Sequence, residues 1–325
     1  MSETVLVTGG AGYIGAHVAR QLAETGYEFV VYDNLSTGHR DAVLGAELVV
    51  GDLADREQLT ALFAERRFTA VLHFAASIVV PESVERPLDY YGNNTANTLG
   101  LLRCCAEAGV DRFIFSGTAA VYGDPPGGVA DEDTPLAPIN PYGRSKVMSE
   151  WILRDYAAVS AFRYVSLRYF NAAGADLEAR IGQRGSDATH LIKVACEAAA
   201  GKRPSVTVFG TDYDTPDGTC LRDYIHVEDL ARAHVAALRY LGQGGESRAL
   251  NCGYGVGYSV REVLTRVKAV SGVDFRVVDG NRRPGDPARL IANSGRIRRV
   301  LDWTPRYDDL DTIVSTALAW EKKLA

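Results

Sequence analysis

The stretch VLVTGGAGYIGAHVARQL, residues 5–22, constrains the fold more than any other part of this chain. A short β-branched run passes through a glycine turn straight into a pattern of helical period, which reads as strand, tight turn and helix. The rhythm then repeats. TVLVT, EFVVYD, ELVVGD, AVLHFA, RFIFSG and YVSLRYF are short and nearly all apolar, and helical patterns such as 55–66 and 86–108 separate them. Strands apolar on both faces and separated by helices predict a parallel sheet covered on both sides, the doubly wound α/β architecture. Beyond about residue 173 the rhythm changes. Loops rich in Gly, Pro and Asp at 174–188, 210–220 and 279–289 alternate with helical patterns near 189–200, 228–241, 259–271 and 309–322, which predicts a smaller mixed α/β lobe over the carboxyl ends of the sheet. With 325 residues the chain exceeds the ~250–300 at which one core stops growing. The expected division is a dinucleotide-binding domain over 1–173 and a second lobe over 174–325, some of it near 220–240 packing back on the first.

Gly9, Gly12 and Gly15 stand in a GxxGxxG spacing between strand and helix. Glycines there let the backbone turn tightly and approach a pyrophosphate seated on the positive end of the helix. A glycine triplet alone also serves as a mere tight turn; its placement is what favours the phosphate. The second strand ends in Asp33, where a carboxylate accepts hydrogen bonds from the adenosine ribose and repels a 2′-phosphate, which favours NAD over NADP. Arg40 nearby argues the other way, and the plainer role for Asp33 is to cap a turn. Asp52, after the third strand, is placed either to meet the adenine amino group or to cap a helix.

Charge and cysteine usage narrow the partners. The net charge of −6 gives no basic field for nucleic acid, so any anionic ligand must be met by local Arg residues or helix N-termini. The five Cys (104, 105, 196, 220, 252) form no CxxC pair and, with His, no ligand-spaced cluster, which points to a reduced setting and no metal. No apolar run reaches the ~18 residues of a membrane span, and MSE leads directly into a strand, so neither secretion nor membrane insertion is expected.

The chemistry is expected at NPYGRSK, residues 140–146. Asn140 and Pro141 suit a helix cap and first turn, and Tyr142 and Lys146, at i and i+4, then share one helix face. A phenol is a poor base at neutral pH; a neighbouring ammonium, a nicotinamide cation and a helix N-terminus all favour the phenolate. The fifth strand leads into Ser116 and Thr118 at the carboxyl edge of the sheet, where a hydroxyl can meet the oxygen being oxidised or simply cap a turn.

Nearly end to end, through VTGGAGYIGAH, YDNLSTG, HFAA, PESV, YYGNN, VYGD, NPYGRSK, RYFNAAGAD, FGTDYDTPDGTCLRDYIHVEDLA and RRPGDPA, the chain resembles the UDP-glucose 4-epimerase branch of the extended short-chain dehydrogenase/reductase family. The resemblance implies a Rossmann-like sheet with a nucleotide-sugar lobe, a retained NAD, and reversible interconversion of UDP-glucose and UDP-galactose by transient oxidation at C4. It implies catalytic roles for Thr118, Tyr142 and Lys146. Cofactor contacts would fall on Gly9, Gly12, Tyr13, Ile14, Gly15, Asp33, Asn34, Asp52, Leu53, Phe74, Ala75, Ala76, Asn93, Ser116, Tyr142, Lys146 and Tyr169. UDP-sugar contacts would fall on Thr118, Tyr142, Asn171, Leu191, Arg222, Arg283, Asp286 and Leu290, the two Arg meeting the phosphates and Asp286 the uridine ribose. A cytoplasmic homodimer pairing helices 86–108 and 142–158 is implied as well. The sequence departs from the family pattern in three places. Thr118 replaces a frequent Ser, Ile78 a frequent Lys that contacts cofactor, and Leu290 stands at the site associated with accepting N-acetylated sugars. Ala119 and Ala120 after Thr118 argue against a 4,6-dehydratase, whereas other UDP-sugars, among them N-acetylated sugars, uronates and pentoses, are alternative substrates. A non-catalytic NAD-sensing module is the alternative of another class; it predicts loss of Tyr142, Lys146 or the phosphate Arg residues, all of which are present.

Overall fold

The computed structural model describes residues 4–185 and 189–324; positions 186–188 of the 174–188 loop lie outside the described residues. A seven-stranded parallel sheet forms the larger layer, in the order Arg248–Cys252, Arg163–Tyr169, Arg112–Ser116, Phe68–His73, Thr4–Thr8, Glu28–Asp33, Leu48–Val50. Alternate residues of the first strand bury on opposite faces. Val5 and Val7 join a core with Val18, Leu22 and Leu230, and Leu6 joins another with Leu59, Leu101 and Leu153. Helices therefore cover both faces, as all-apolar strands require. The winding reverses between Thr4–Thr8 and Phe68–His73, the crevice where ligands of such sheets bind.

The two halves of the chain are interlaced. Strand Arg248–Cys252 completes the large sheet by pairing with Arg163–Tyr169, and helix Val227–Gly242 packs against Tyr13–Glu24. In return, Val129–Ala130 pairs with Arg289–Ala292 in a small mixed sheet that also holds Leu221–His226, Gly257–Ser259 and Asn171–Ala173. A further pair, Val206–Phe209 and Val277–Gly280, supports the loop at 281–288.

One helix departs from the sequence pattern. The stretch 86–108 is not continuous: Pro87–Tyr90 leads into a π-helical turn, Tyr91–Ala96, before Asn97–Ala108. Asn94 is the physical reason. Its side chain accepts from Ser77 N (2.8 Å) and donates to Ser77 O and Ser145 Oγ (each 3.0 Å), contacts far away in sequence that a widened turn accommodates. No described helix is long and apolar enough to cross a membrane.

Candidate active site

Along the carboxyl edge of the large sheet lies a cavity of about 880 Å³, lined at one end by the glycine turn and at the other by Arg222 and residues 285–287. Gly9 takes φ +71°, and a Cβ there would fall 2.4 Å from Ala75 N; at Gly15 it would fall 2.2 Å from Gly9 O. Both glycines are demanded by the packing of turn, strand and helix. Gly12 is different, since its nearest obstacle within the chain is Gly9 O at 3.3 Å. It is also the N-cap of helix Tyr13–Glu24 and lends no side chain to the first-turn amides, which leaves those donors to a ligand on the cavity side.

Asp33 is buried beside this turn. Its Oδ2 accepts from Ala11 N (2.9 Å) and its Oδ1 from Leu35 N (2.8 Å), so it makes the turn-capping bonds of its plainer role. It also lines the cavity, and a carboxylate with about four lone-pair sites keeps acceptors for a ribose. Asn34 donates to Asp52 Oδ2 (2.7 Å), which orients both on the wall. Arg40 is exposed and is not part of the lining. Tyr13, Ile14, Leu53, Phe74, Ala75, Ala76, Asn93, Ser116 and Tyr169 all line the cavity. Several of these are fixed by direct contacts: Tyr13 donates to Gly174 O (2.7 Å), Asn93 donates to Ser77 Oγ (2.9 Å), and the Ser116 and Tyr169 hydroxyls lie 2.5 Å apart.

Helix Pro141–Ala158 delivers the Tyr142 phenol. Asn140 accepts from Gly143 N (2.8 Å) and Pro141 occupies the first turn, so Tyr142 enters the cavity at a fixed angle. Its hydroxyl is hydrogen-bonded to Thr118, which caps the short 3₁₀ turn Ala119–Tyr122 and accepts from Ala120 N (3.1 Å). Lys146 is 2% exposed and lies behind the wall. Its Nζ donates to Ser116 O (3.0 Å) and rests 4.8 Å above the Phe115 ring.

The electrostatics differ from the sequence expectation. Among the chain's own groups burial outweighs other effects and holds the Tyr142 phenol above its ordinary value, with the Thr118 hydrogen bond pulling the other way. Lys146 is pushed down to about 7 by burial, opposed by the Glu150 carboxylate.

At the other end Asn171, Arg222, Asp286 and Leu290 line the cavity, and Leu290 is 8% exposed. Two expected contacts do not. Leu191 lines a neighbouring void of about 20 Å³. Arg283 is drawn aside by Asp286, whose Oδ2 accepts from its Nε at 2.8 Å, and stacks 4.8 Å over Phe209. Asp286 also stands 3.8 Å from Arg222, so the carboxylate expected to meet a ribose serves here as counter-ion to two arginines. Residues given no role from the sequence complete the lining: Ser36 and Glu82, from the YDNLSTG and PESV stretches, and His39, Ile139, Arg184 and His190. The last four stand on loops that only the fold brings together; Asn140, also lining, is legible as part of the Tyr142 motif but reads there as a cap alone.

The Gly12 cradle, the uncapped helix start, Asp33 and the length of the cavity fit a dinucleotide, and a volume near 880 Å³ is at the large end for small-molecule sites. The model of the NAD dependent epimerase/dehydratase family matches residues 5–253. Over 99% of its length the chain is 56% identical to a UDP-glucose 4-epimerase of Azospirillum brasilense, of which it covers 93%. Its fold is similar to that of UDP-glucose 4-epimerase from Brucella ovis in complex with NAD, with a TM-score of 0.95, 46% identity and 99% of each chain covered. It is also similar to the UDP-Glc/GlcNAc 4-epimerase of Campylobacter jejuni, with a TM-score of 0.87, 51% identity, and 99% of this chain and 100% of that one covered. The chain belongs to the NAD dependent epimerase/dehydratase family.

Proposed function

We propose that this chain is an isomerase that catalyses the NAD-dependent, reversible 4-epimerisation of UDP-glucose and UDP-galactose. The observation that carries the reading is a single cavity with a dinucleotide turn at one end, the Tyr142–Thr118 pair on its wall and Arg222 at the other end. The glycine turn, the helix start at Tyr13, Asp33, Asn34, Asp52 and Lys146 hold the cofactor; Arg222, Asn171 and Leu290 hold the UDP-sugar. Bound NAD supplies a reversible two-electron acceptor for C4.

Tyr142 takes the proton of the sugar 4′-hydroxyl on the outward step and gives it back on the return. Its burial keeps bulk water from that proton, and a group that serves as both base and acid needs to regenerate itself within one turnover. Thr118 shares the hydrogen bond at the 4′-oxygen. The resemblance gives Lys146 a hold on the cofactor ribose, which requires its ammonium to leave Ser116 O for the cavity; when charged it favours the phenolate. Ala119 and Ala120 offer no acid to expel water from C5–C6, in keeping with epimerisation rather than dehydration.

The region around Leu221–His226 and 281–290 acts as the nucleotide-sugar lobe over the first sheet. A homodimer through the helices of 86–108 and 142–158 is supported by Leu88, Leu99, Met148 and Trp151, large apolar side chains exposed on them. A reducing cytoplasm agrees with five free, buried cysteines. Leu290 on the cavity wall stands at the site associated with N-acetylated sugars, and their epimerisation is the alternative that a comparison across sugars tests. The test is to incubate purified protein, without added NAD, with UDP-galactose, UDP-N-acetylgalactosamine, UDP-glucuronate and UDP-xylose and to resolve the products. UDP-glucose from UDP-galactose is expected; no conversion of any sugar, even with NAD added, rejects the proposal.

A further inference from the structure

Two loops distant in sequence line the dinucleotide end of the cavity. One runs from Asp33 into the short 3₁₀ turn Arg40–Val43, and its residues 36–39 are part of the lining. It is seated on the glycine turn: His39 N donates to Ala11 O (2.9 Å), and a Cβ at Gly38 would fall 2.8 Å from Asp33 Oδ1. The other leaves strand Asn171–Ala173 and returns to line the cavity with residues 181–185. Its return is firmly built. Ala175 and Gly182 pair as an antiparallel bridge, Arg180 donates to Asp176 through Nε and Nη2 (2.7 and 2.8 Å), and Trp320 Nε1 donates to Gln183 O (2.8 Å). Tyr13, the first residue of helix Tyr13–Glu24, holds the outgoing end by donating to Gly174 O (2.7 Å).

Arg184 joins the two loops. Its Nη1 and Nη2 donate to Asp41 Oδ1 and Oδ2 (3.0 and 2.8 Å), a two-point fork between residues 143 apart. Its guanidinium also lies 5.2 Å from the centroid of the Trp320 ring. Among the described residues, no other hydrogen bond or ion pair joins these loops. An exposed ion pair adds little stability unless its geometry is fixed, and the Asp41 side chain is 67% exposed. Here the fork and the Trp320 ring fix the guanidinium, and the place of the pair matters more than its strength. Arg184 lines the cavity and Asp41 does not, so the carboxylate acts on the cavity only through the arginine.

We propose that the Arg184–Asp41 pair is a clasp that ties these two stretches of cavity wall together and slows the escape of bound NAD between turnovers. The inference rests on the reading of this cavity as the NAD site. Both residues are positioning residues, because they act by holding loops; the effect therefore belongs in the rate at which cofactor leaves.

The experiment measures NAD release from purified holoenzyme by exchange against excess isotope-labelled NAD, read by mass spectrometry, in the wild type, Asp41→Asn, Arg184→Gln and the exchanged pair Asp41→Arg/Arg184→Asp. Each single variant is expected to release NAD roughly three- to tenfold faster, and the exchanged pair to fall back toward the wild-type rate. Raising the salt to about 0.5 M is expected to speed release from the wild type more than from either single variant, since the pair is open to screening. Asp41→Asn that releases NAD at the wild-type rate overturns the proposal. In that event a fast Arg184→Gln means that the arginine meets the cofactor itself, and an unchanged one means that the pair is a surface contact only. Failure of the epimerase reading shows separately, in the sugar-conversion assay, and does not move these rates; a wild type that binds no NAD overturns both.

Discussion

Burial sets the character of Tyr142 and Lys146. Tyr142 sits above its ordinary pKa and Lys146 far below its own because both are removed from water. Tyr142→Phe is expected to lower kcat for UDP-galactose by roughly 10²–10⁴-fold while leaving KM nearly unchanged, the pattern for a group used only in the transition state; steady-state kinetics that show full activity remove Tyr142 from the mechanism. Lys146 is held down at about 7, against 10.5 when exposed. The folded state thus binds fewer protons than the unfolded between those values, and burying the ammonium costs stability that returns as pH rises through that window. Lys146→Met is therefore expected to be inactive yet to melt roughly 2–4 °C higher near pH 7, as read by calorimetry. A lower melting point argues that Ser116 O and Phe115 repay the burial in full. The Tyr–Lys spacing was legible because one helical turn separates the pair. The fate of Arg283 was not, since a sequence does not say that Asp286, three residues on, will claim it.

Among the elements, the first strand, turn and helix were the most legible, and glycine is the reason. The three glycines nevertheless serve different ends. Gly15→Ala places a Cβ 2.2 Å from Gly9 O and is expected to prevent correct folding of the turn, whereas Gly12→Ala meets only Gly9 O at 3.3 Å. The Gly12 variant is expected to fold and melt within about 3 °C of the wild type but to carry much less NAD after purification. Cofactor content, measured by absorbance after release, checks this; full retention argues against a pyrophosphate at the helix start. The helix over 86–108 was less legible, because its π-helical turn answers to Ser77 and Ser145, partners 17 and 51 residues from Asn94. Such a turn is set by tertiary hydrogen bonds and leaves the apolar pattern nearly unchanged.

At the scale of the molecule, alternating strands and helices made the parallel sheet legible, but not its last strand. Arg248–Cys252 carries no reading from the sequence, and only the open edge of Arg163–Tyr169 gives it a place. The interlaced halves bury several titratable groups whose sum fixes acid stability. His73 is held down at about 3, and His226 and His234 at about 4, all by burial. Unfolded histidine takes its proton near 6.5, so each contributes stability that is present above that value and lost as pH falls toward 4 and 3. Asp223, raised to about 6 by burial, acts in the opposite sense, gaining stability as pH falls from 6 toward 3.8. The three imidazoles outweigh the one carboxylate, and stability is expected to fall by on the order of 2–3 kcal/mol per pH unit near pH 5. Urea midpoints at pH 7, 6 and 5 measure this, and a flat profile shows that one or more of these histidines is charged in the folded state.

The central claim is that C4 is inverted by removal and return of the same hydrogen inside one cavity, with Tyr142 handling only the hydroxyl proton. The most direct measurement is to convert UDP-galactose deuterated at C4 in ordinary water and to locate the label in the UDP-glucose by mass spectrometry and NMR. The account predicts that the deuterium is retained at C4 of the inverted product; product carrying solvent hydrogen at C4 would contradict it.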